Sequence, residues 1–197
     1  MSIPRRQEYT EATRRALLDS AAAAFVARGF AETSVDDIAR GARLTKGAVY
    51  HHFGGGKREL FRAVYQEVRE ELRASLVAAE AAESDPWRRL IAGVGAFLDA
   101  CMNERYRRIA LEEAPAALGW DFVRELDAEY SQALRAPIAG LIDAGVIRPE
   151  PVELLARVLL VAVGEAGRAV AGASDREVAR REAEALLEQL LSGLRAA

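Results

Sequence analysis

The chain has one cysteine, two tryptophans, two histidines and six prolines in 197 residues. A lone Cys101 cannot close an internal disulfide, and no Cys/His cluster has metal-ligand spacing, so a disulfide scaffold and a bound metal are both unexpected. A reducing, cytoplasmic setting fits that usage. Long runs of Val, Ile and Thr are missing while Ala, Leu, Arg and Glu dominate, so local propensity leans to helix throughout and an all-α fold is expected. No apolar run approaches the roughly 20 residues of a membrane span. The greasiest stretch, residues 154–163, is interrupted by Arg157 and followed by Glu165 and Arg168, so it reads as a core helix and no membrane partner is expected. The opening MSIPRRQEYT has two arginines with no apolar segment behind them and does not read as an export signal. Neither a Gly-x-Ser-x-Gly elbow, a His-Glu-x-x-His pair nor a dinucleotide fingerprint occurs. No catalytic residue and no cofactor are therefore expected, and a helical enzyme is the weakest of the alternatives.

What is present is uneven. Residues 1–62 hold 11 Lys+Arg against 7 Asp+Glu, and the remaining 135 hold 16 against 23. A basic head on an acidic body assigns contact with a polyanion to the head. Both lysines of the chain, Lys46 and Lys57, lie there.

Within the head, Leu17, Leu18, Ala21, Ala24 and Phe25 recur at helical spacing, and Gly29 supplies the conformation that ends this first helix. Thr33 and Ser34 are N-cap types with Asp36 and Asp37 behind them, and Val35, Ile38, Ala39 and Ala42 stripe a short second helix. After Arg43 and Leu44, Thr45 caps a third short helix, TKGAVYHHF. Two short helices on a tight link form a helix-turn-helix. At about 100° per residue, Ala48, Val49 and His52 share one side of the third helix, and Lys46, Gly47, Tyr50 and His51 share the other. A cation, a position without a side chain and two polar aromatics suit a major groove.

The segment TSVDDIARGARLTKGAVYHHF (residues 33–53), followed by KRELF, resembles the signature of the TetR family of regulators. The resemblance is specific over about residues 10–65. It implies a DNA-binding head, residues 1–56, on a helical effector-binding and dimerisation body, residues 57–197. It further implies that Thr33, Thr45, Tyr50, His52 and Lys57 contact phosphates or support the motif, with Lys46, Gly47 and His51 nearest the base edges. Ser34 and Arg43 belong to the same DNA-facing set. Two departures stand out: the turn position, usually glycine in the family, is Arg43, which adds a cation, and Gly54–Gly56 make the approach to Lys57 one residue longer.

Beyond Lys57 one long helix is expected, ended by Ser84-Asp85-Pro86, then a fifth striped by Leu90, Ile91, Val94, Phe97 and Leu98. A piece from Glu104 to about Leu118 should be interrupted at Pro115. A helix from Trp120 to about Ala144 should bend at Pro137 and close at Gly145. Residues 152–172 are apolar nearly all round and should be buried on more than one side. Candidate effector contacts are Trp87, Gly93, Phe97, Tyr106, Trp120, Phe122 and Tyr130. Glu165, set among apolar neighbours, needs a partner, either Arg168 or a polar group of the effector. Leu155, Leu159, Ala162, Leu186, Leu190 and Leu194 are the candidate homodimer surface, the alternative being that they close a monomeric bundle. The resemblance implies a double-stranded DNA operator and a small-molecule effector as partners; a body that binds a protein partner is the other reading.

Overall fold

A computed structural model describes residues 5–196. They form α1 (Arg5–Glu32), α2 (Val35–Gly41), α3 (Lys46–His52), α4 (Gly56–Ala81), α5 (Pro86–Met102), α6 (Glu104–Tyr106), a π-helical segment (Arg107–Glu113), α7 (Ala114–Leu118), α8 (Trp120–Asp143), α9 (Val152–Gly172) and α10 (Arg176–Ser192). The fold is all-α, as composition dictates, and no strand occurs among the described residues. Among them, no helix is long and apolar enough to cross a membrane.

Two compact units divide the chain. The first runs to Arg69 and takes in Arg108–Trp120; the second holds Glu70–Arg107 and the chain from Asp121 onward. In the first, Leu17, Leu18, Ala21 and Phe25 of α1 are buried, as are Ile38 and Ala39 of α2, Val49 of α3 and Leu60, Phe61 and Val64 of α4. The rings of Phe25, Phe30 and Phe61 meet with centroids 5.1–5.9 Å apart, the Phe61 contacts edge-on. Gly29 interrupts α1 with φ 80° and ψ 172°, a region open essentially to glycine alone.

In the second unit Trp87, Ile138, Leu141, Ile147, Ala156 and Leu191 form the centre of the core, closed by side chains of α5, α8 and α9. Helices α5 and α9 meet at Gly167, where a Cβ would stand 2.5 Å from Phe97 Cε1 and 2.7 Å from Cys101 Sγ. Burial pushes the Cys101 thiol up to about 12, so the side chain acts as a small, protonated apolar group.

Two local expectations are corrected, at Pro115 and in α9. The break before Pro115 is the π-helical segment, and Pro115 sits in the first turn of α7, where its missing N–H has no intrahelical partner to lose. Helix α8 continues through Pro137 to Asp143, and Gly145, with φ 67°, closes it. Helix α9 is not buried all round, because Leu154, Val158 and Val161 face outward.

Candidate nucleic-acid interface

Helix α2 is held at both ends. The Ser34 hydroxyl accepts the Asp37 N–H at 3.1 Å, and the Asp37 carboxylate accepts the Ser34 N–H at 3.2 Å and its hydroxyl at 2.7 Å. These Ser34 bonds, with Arg28 and Arg40 adding their charges, hold the Asp37 carboxyl below the usual carboxylate range. At the other end Ala42, Arg43 and Leu44 donate to Ile38, Arg40 and Ala39, the hydrogen-bond pattern of a Schellman turn. That pattern needs a left-handed residue, and Arg43 takes φ 57°.

Thr45 caps α3, its hydroxyl accepting the Ala48 N–H at 3.2 Å. The sides of α3 fall where the spacing put them. Val49 is fully buried, Ala48 and His52 are half-buried, and Lys46, Gly47, Tyr50 and His51 are exposed, Tyr50 at 48%. The Lys46 ammonium pairs with Asp36 at 3.2 Å, an exposed contact that sequence reading did not anticipate. A Cβ on Gly56 (φ 63°) would stand 3.1 Å from Tyr50 Cε1, and the Gly55 N–H donates to Glu59 at 2.6 Å. The extra glycine thus belongs to a tight turn beneath the Tyr50 ring.

Thr33 and Lys57, expected to contact phosphates or support the motif, both bond within the fold. Thr33 is 1% exposed, and its hydroxyl donates to the Gly29 carbonyl at 2.7 Å with that of Ala24 at 3.2 Å. Lys57 turns its ammonium onto the carbonyls of Phe30 (2.8 Å) and Ala31 (3.3 Å), 4.4 Å from the centre of the Phe30 ring. Carbonyls at a helix end lack intrahelical donors, and a lysine with three N–H groups satisfies two of them. The Phe30 N–H in turn donates to Glu113 at 3.0 Å. Glu113 lies 83 residues away in sequence, on the π-helical segment, and no local pattern marks it.

In the second unit, Trp87 is a core residue, and Phe97 and Tyr106 are half-buried with ring centroids 6.3 Å apart. Phe122 and Tyr130 are half-buried on α8. Gly93 is buried, and a Cβ there would stand 3.0 Å from Glu80 Oε1. Trp120 is corrected: it is 66% exposed and groups with the first unit. Glu165 pairs with Arg168 at 2.7 Å, one of its two expected partners, but its side chain is 71% exposed and the expected burial is corrected. That side of α9 faces outward, so no buried carboxylate requires an effector group. Sequence reading missed Ser131, whose buried hydroxyl oxygen has no hydrogen-bond partner among the described residues. A serine inside a helix carries no sequence signal of that kind. A cleft of about 610 Å³, lined by Trp87, Ile91, Asp99, Arg180 and Glu184 among others, shares only Trp87 with the expected contacts.

Of the expected association surface, Leu186 and Leu190 are exposed and Ala162 is half-buried. Leu155, Leu159 and Leu194 are partly buried and pack on the chain's own core. The outward row on α9 is Leu154, Val158 and Val161, 53–66% exposed. A shift of one position on a helix turns a side chain by about 100°, enough to exchange the inner and outer rows.

Residues 17–64 match the family model described as "Bacterial regulatory proteins, tetR family", and residues 87–194 match "Tetracyclin repressor-like, C-terminal domain". The chain is 27% identical over 154 residues to the TetC protein of transposon Tn10 from Escherichia coli, covering 78% of this chain and 77% of TetC. It is 35% identical over 111 residues to the HTH-type transcriptional regulator TtgR of Pseudomonas putida, covering 54% of this chain and 51% of TtgR. Among solved structures, a TetR-family transcriptional regulator from Pectobacterium atrosepticum is similar with a TM-score of 0.82 and 32% identity, over 96% of this chain and 97% of that one. With a helix-turn-helix of the expected form at one end and a matched helical body at the other, the chain belongs to the tetR family of bacterial transcriptional regulators.

Proposed function

We propose that this regulator is a repressor that binds a palindromic operator as a homodimer and lets go when its body takes up a small, apolar or aromatic effector. The observation that carries the DNA part is the division of α3: Val49 anchors the helix in the core while Lys46, Gly47, Tyr50 and His51 are exposed on the other side. Lys46 reaches a phosphate or a guanine edge by giving up Asp36, and an exposed ion pair is worth only about 0–1 kcal/mol, so the exchange is easy. Gly47 lets the helix backbone approach the duplex, and Tyr50 and His51 offer hydrogen-bonding aromatic rings.

Self-association is supported by the row Leu154, Val158 and Val161 on α9 beside Leu186 and Leu190 on α10, which leaves apolar surface in water. Two heads held about 34–36 Å apart would read half-sites one DNA turn apart. Effector binding is supported by Ser131, whose unpartnered hydroxyl a ligand's polar group would satisfy, and by the half-buried rings of Phe122 and Tyr130 on the same helix. A difference of about 1.4 kcal/mol in effector affinity between the DNA-bound and free forms moves occupancy tenfold.

The test is footprinting with Lys46→Ala and Tyr50→Ala. Both should lose protection of a duplex selected by the wild-type protein while sedimenting as wild type does. Wild-type footprints from both would end the reading of this face.

A further inference from the structure

We propose that Arg43 is a dedicated anchor for the DNA phosphate backbone, held in the turn at the expense of fold stability; this rests on the DNA-binding reading above. The bonds closing α2 fix a left-handed residue after Ala42, and Arg43 is the one non-glycine with positive φ among the described residues. A left-handed backbone crowds the Cβ of any residue except glycine against its neighbouring carbonyl. The chain fills the equivalent position after α8 with Gly145. An arginine in this place therefore strains the backbone without a packing return, because its side chain is exposed.

The guanidinium is also unengaged. Along α2 and α3, Arg40 pairs with Asp37 at 3.1 Å and Lys46 with Asp36 at 3.2 Å. Beyond the backbone bond to Arg40, the Arg43 side chain makes no hydrogen bond or ion pair among the described residues, so its charge is unneutralised. It stands two residues before the cap Thr45 and three before Lys46, at the entry to the helix that meets the groove. A planar fork of five donors matches phosphate oxygens, and phosphate contacts carry no base sequence. The ligand is thus the phosphodiester backbone of duplex DNA.

Full-length Arg43→Gly, Arg43→Lys and Lys46→Ala test this, with a duplex selected from a random library by the wild-type protein and an unrelated duplex of equal length. Arg43→Gly should melt about 2 °C higher. It should bind both duplexes about fivefold more weakly, with a salt dependence shallower by about one phosphate contact. Arg43→Lys should recover part of the affinity and none of the melting gain. Wild-type binding by Arg43→Gly alongside weakened Lys46→Ala would overturn the anchor and leave the DNA face standing. Wild-type binding by both would overturn the face and the anchor together. A loss confined to the selected duplex would make Arg43 a base reader, and a lower melting temperature would remove the strain.

Discussion

At the end of α8 the amides of Gly145 and Val146 return to Ile142 and Leu141, each at 2.9 Å; at the end of α2 those of Arg43 and Leu44 return to Arg40 and Ala39 at 3.0 and 2.9 Å. The backbones match, with φ 67° at Gly145 and 57° at Arg43. The side chains do not. After α8 the residue is the one the backbone prefers. After α2 it is one the backbone resists, carried by a helix of only seven residues that is too short to persist without its caps and its tertiary contacts. The contrast teaches that a backbone geometry narrows the choice of residue without dictating it, and that a departure marks where something other than folding sets the choice.

The largest effect belongs to a third left-handed position. Gly29→Ala would force φ 80°, ψ 172° on a residue with a Cβ and set that atom 2.5 Å from Glu113 Oε1. It should destabilise the first unit by about 3 kcal/mol, read as a lowered denaturant midpoint. A loss below about 1 kcal/mol would mean that strain at such positions relaxes easily, and the cost inferred for Arg43 would shrink with it.

Next in size is Gly145→Arg, which installs at α8 what α2 already tolerates. The expected loss is about 1 kcal/mol, with DNA affinity unchanged because the new arginine is on the body. A variant as stable as wild type in chemical denaturation would break the comparison, since the two ends would then accept arginine equally well.

The smallest effect concerns the opposite end of α2. Folding lowers the Asp37 carboxyl, first through Ser34, so its ionised form adds stability above the unfolded value, and that stability is lost as pH falls through the lowered folded value. The protection factors of the Ile38–Ala42 amides should therefore fall below about pH 4. In Ser34→Ala that fall should be weaker, because the main cause of the shift is gone. An unaltered pH profile in that variant would show that the caps of α2 do not act as described.

Much of the first unit was legible because its signals are local. Ser34 and Thr45 announce their helices through hydroxyls that bond within three residues, and Val49 against Lys46, Gly47 and Tyr50 follows from helical period alone. For Thr33 and Lys57 the resemblance leaves open whether they contact phosphates or support the motif. Their partners, the carbonyls around Gly29 and Phe30, become visible only once α1, α2 and α4 are packed together. In the body, Glu165 seemed buried because its neighbours in sequence are apolar. In α9 those apolar neighbours face both inward and outward, and a nearly uniform stripe gives period no contrast with which to choose a register.

Sequence alone determined the helical class, the helix-turn-helix, the exposed side of α3 and the breaks at Gly29 and Gly145, since each depends on bonds or periodicities spanning a few residues. Tertiary structure decided which polar groups were already spoken for: Thr33 by the carbonyl of Gly29, the Phe30 amide by Glu113, Lys46 by Asp36, while the Arg43 side chain was left unpaired among the described residues. Those outcomes depend on side chains that meet only after distant segments fold together, and no property of the neighbouring residues encodes such a meeting.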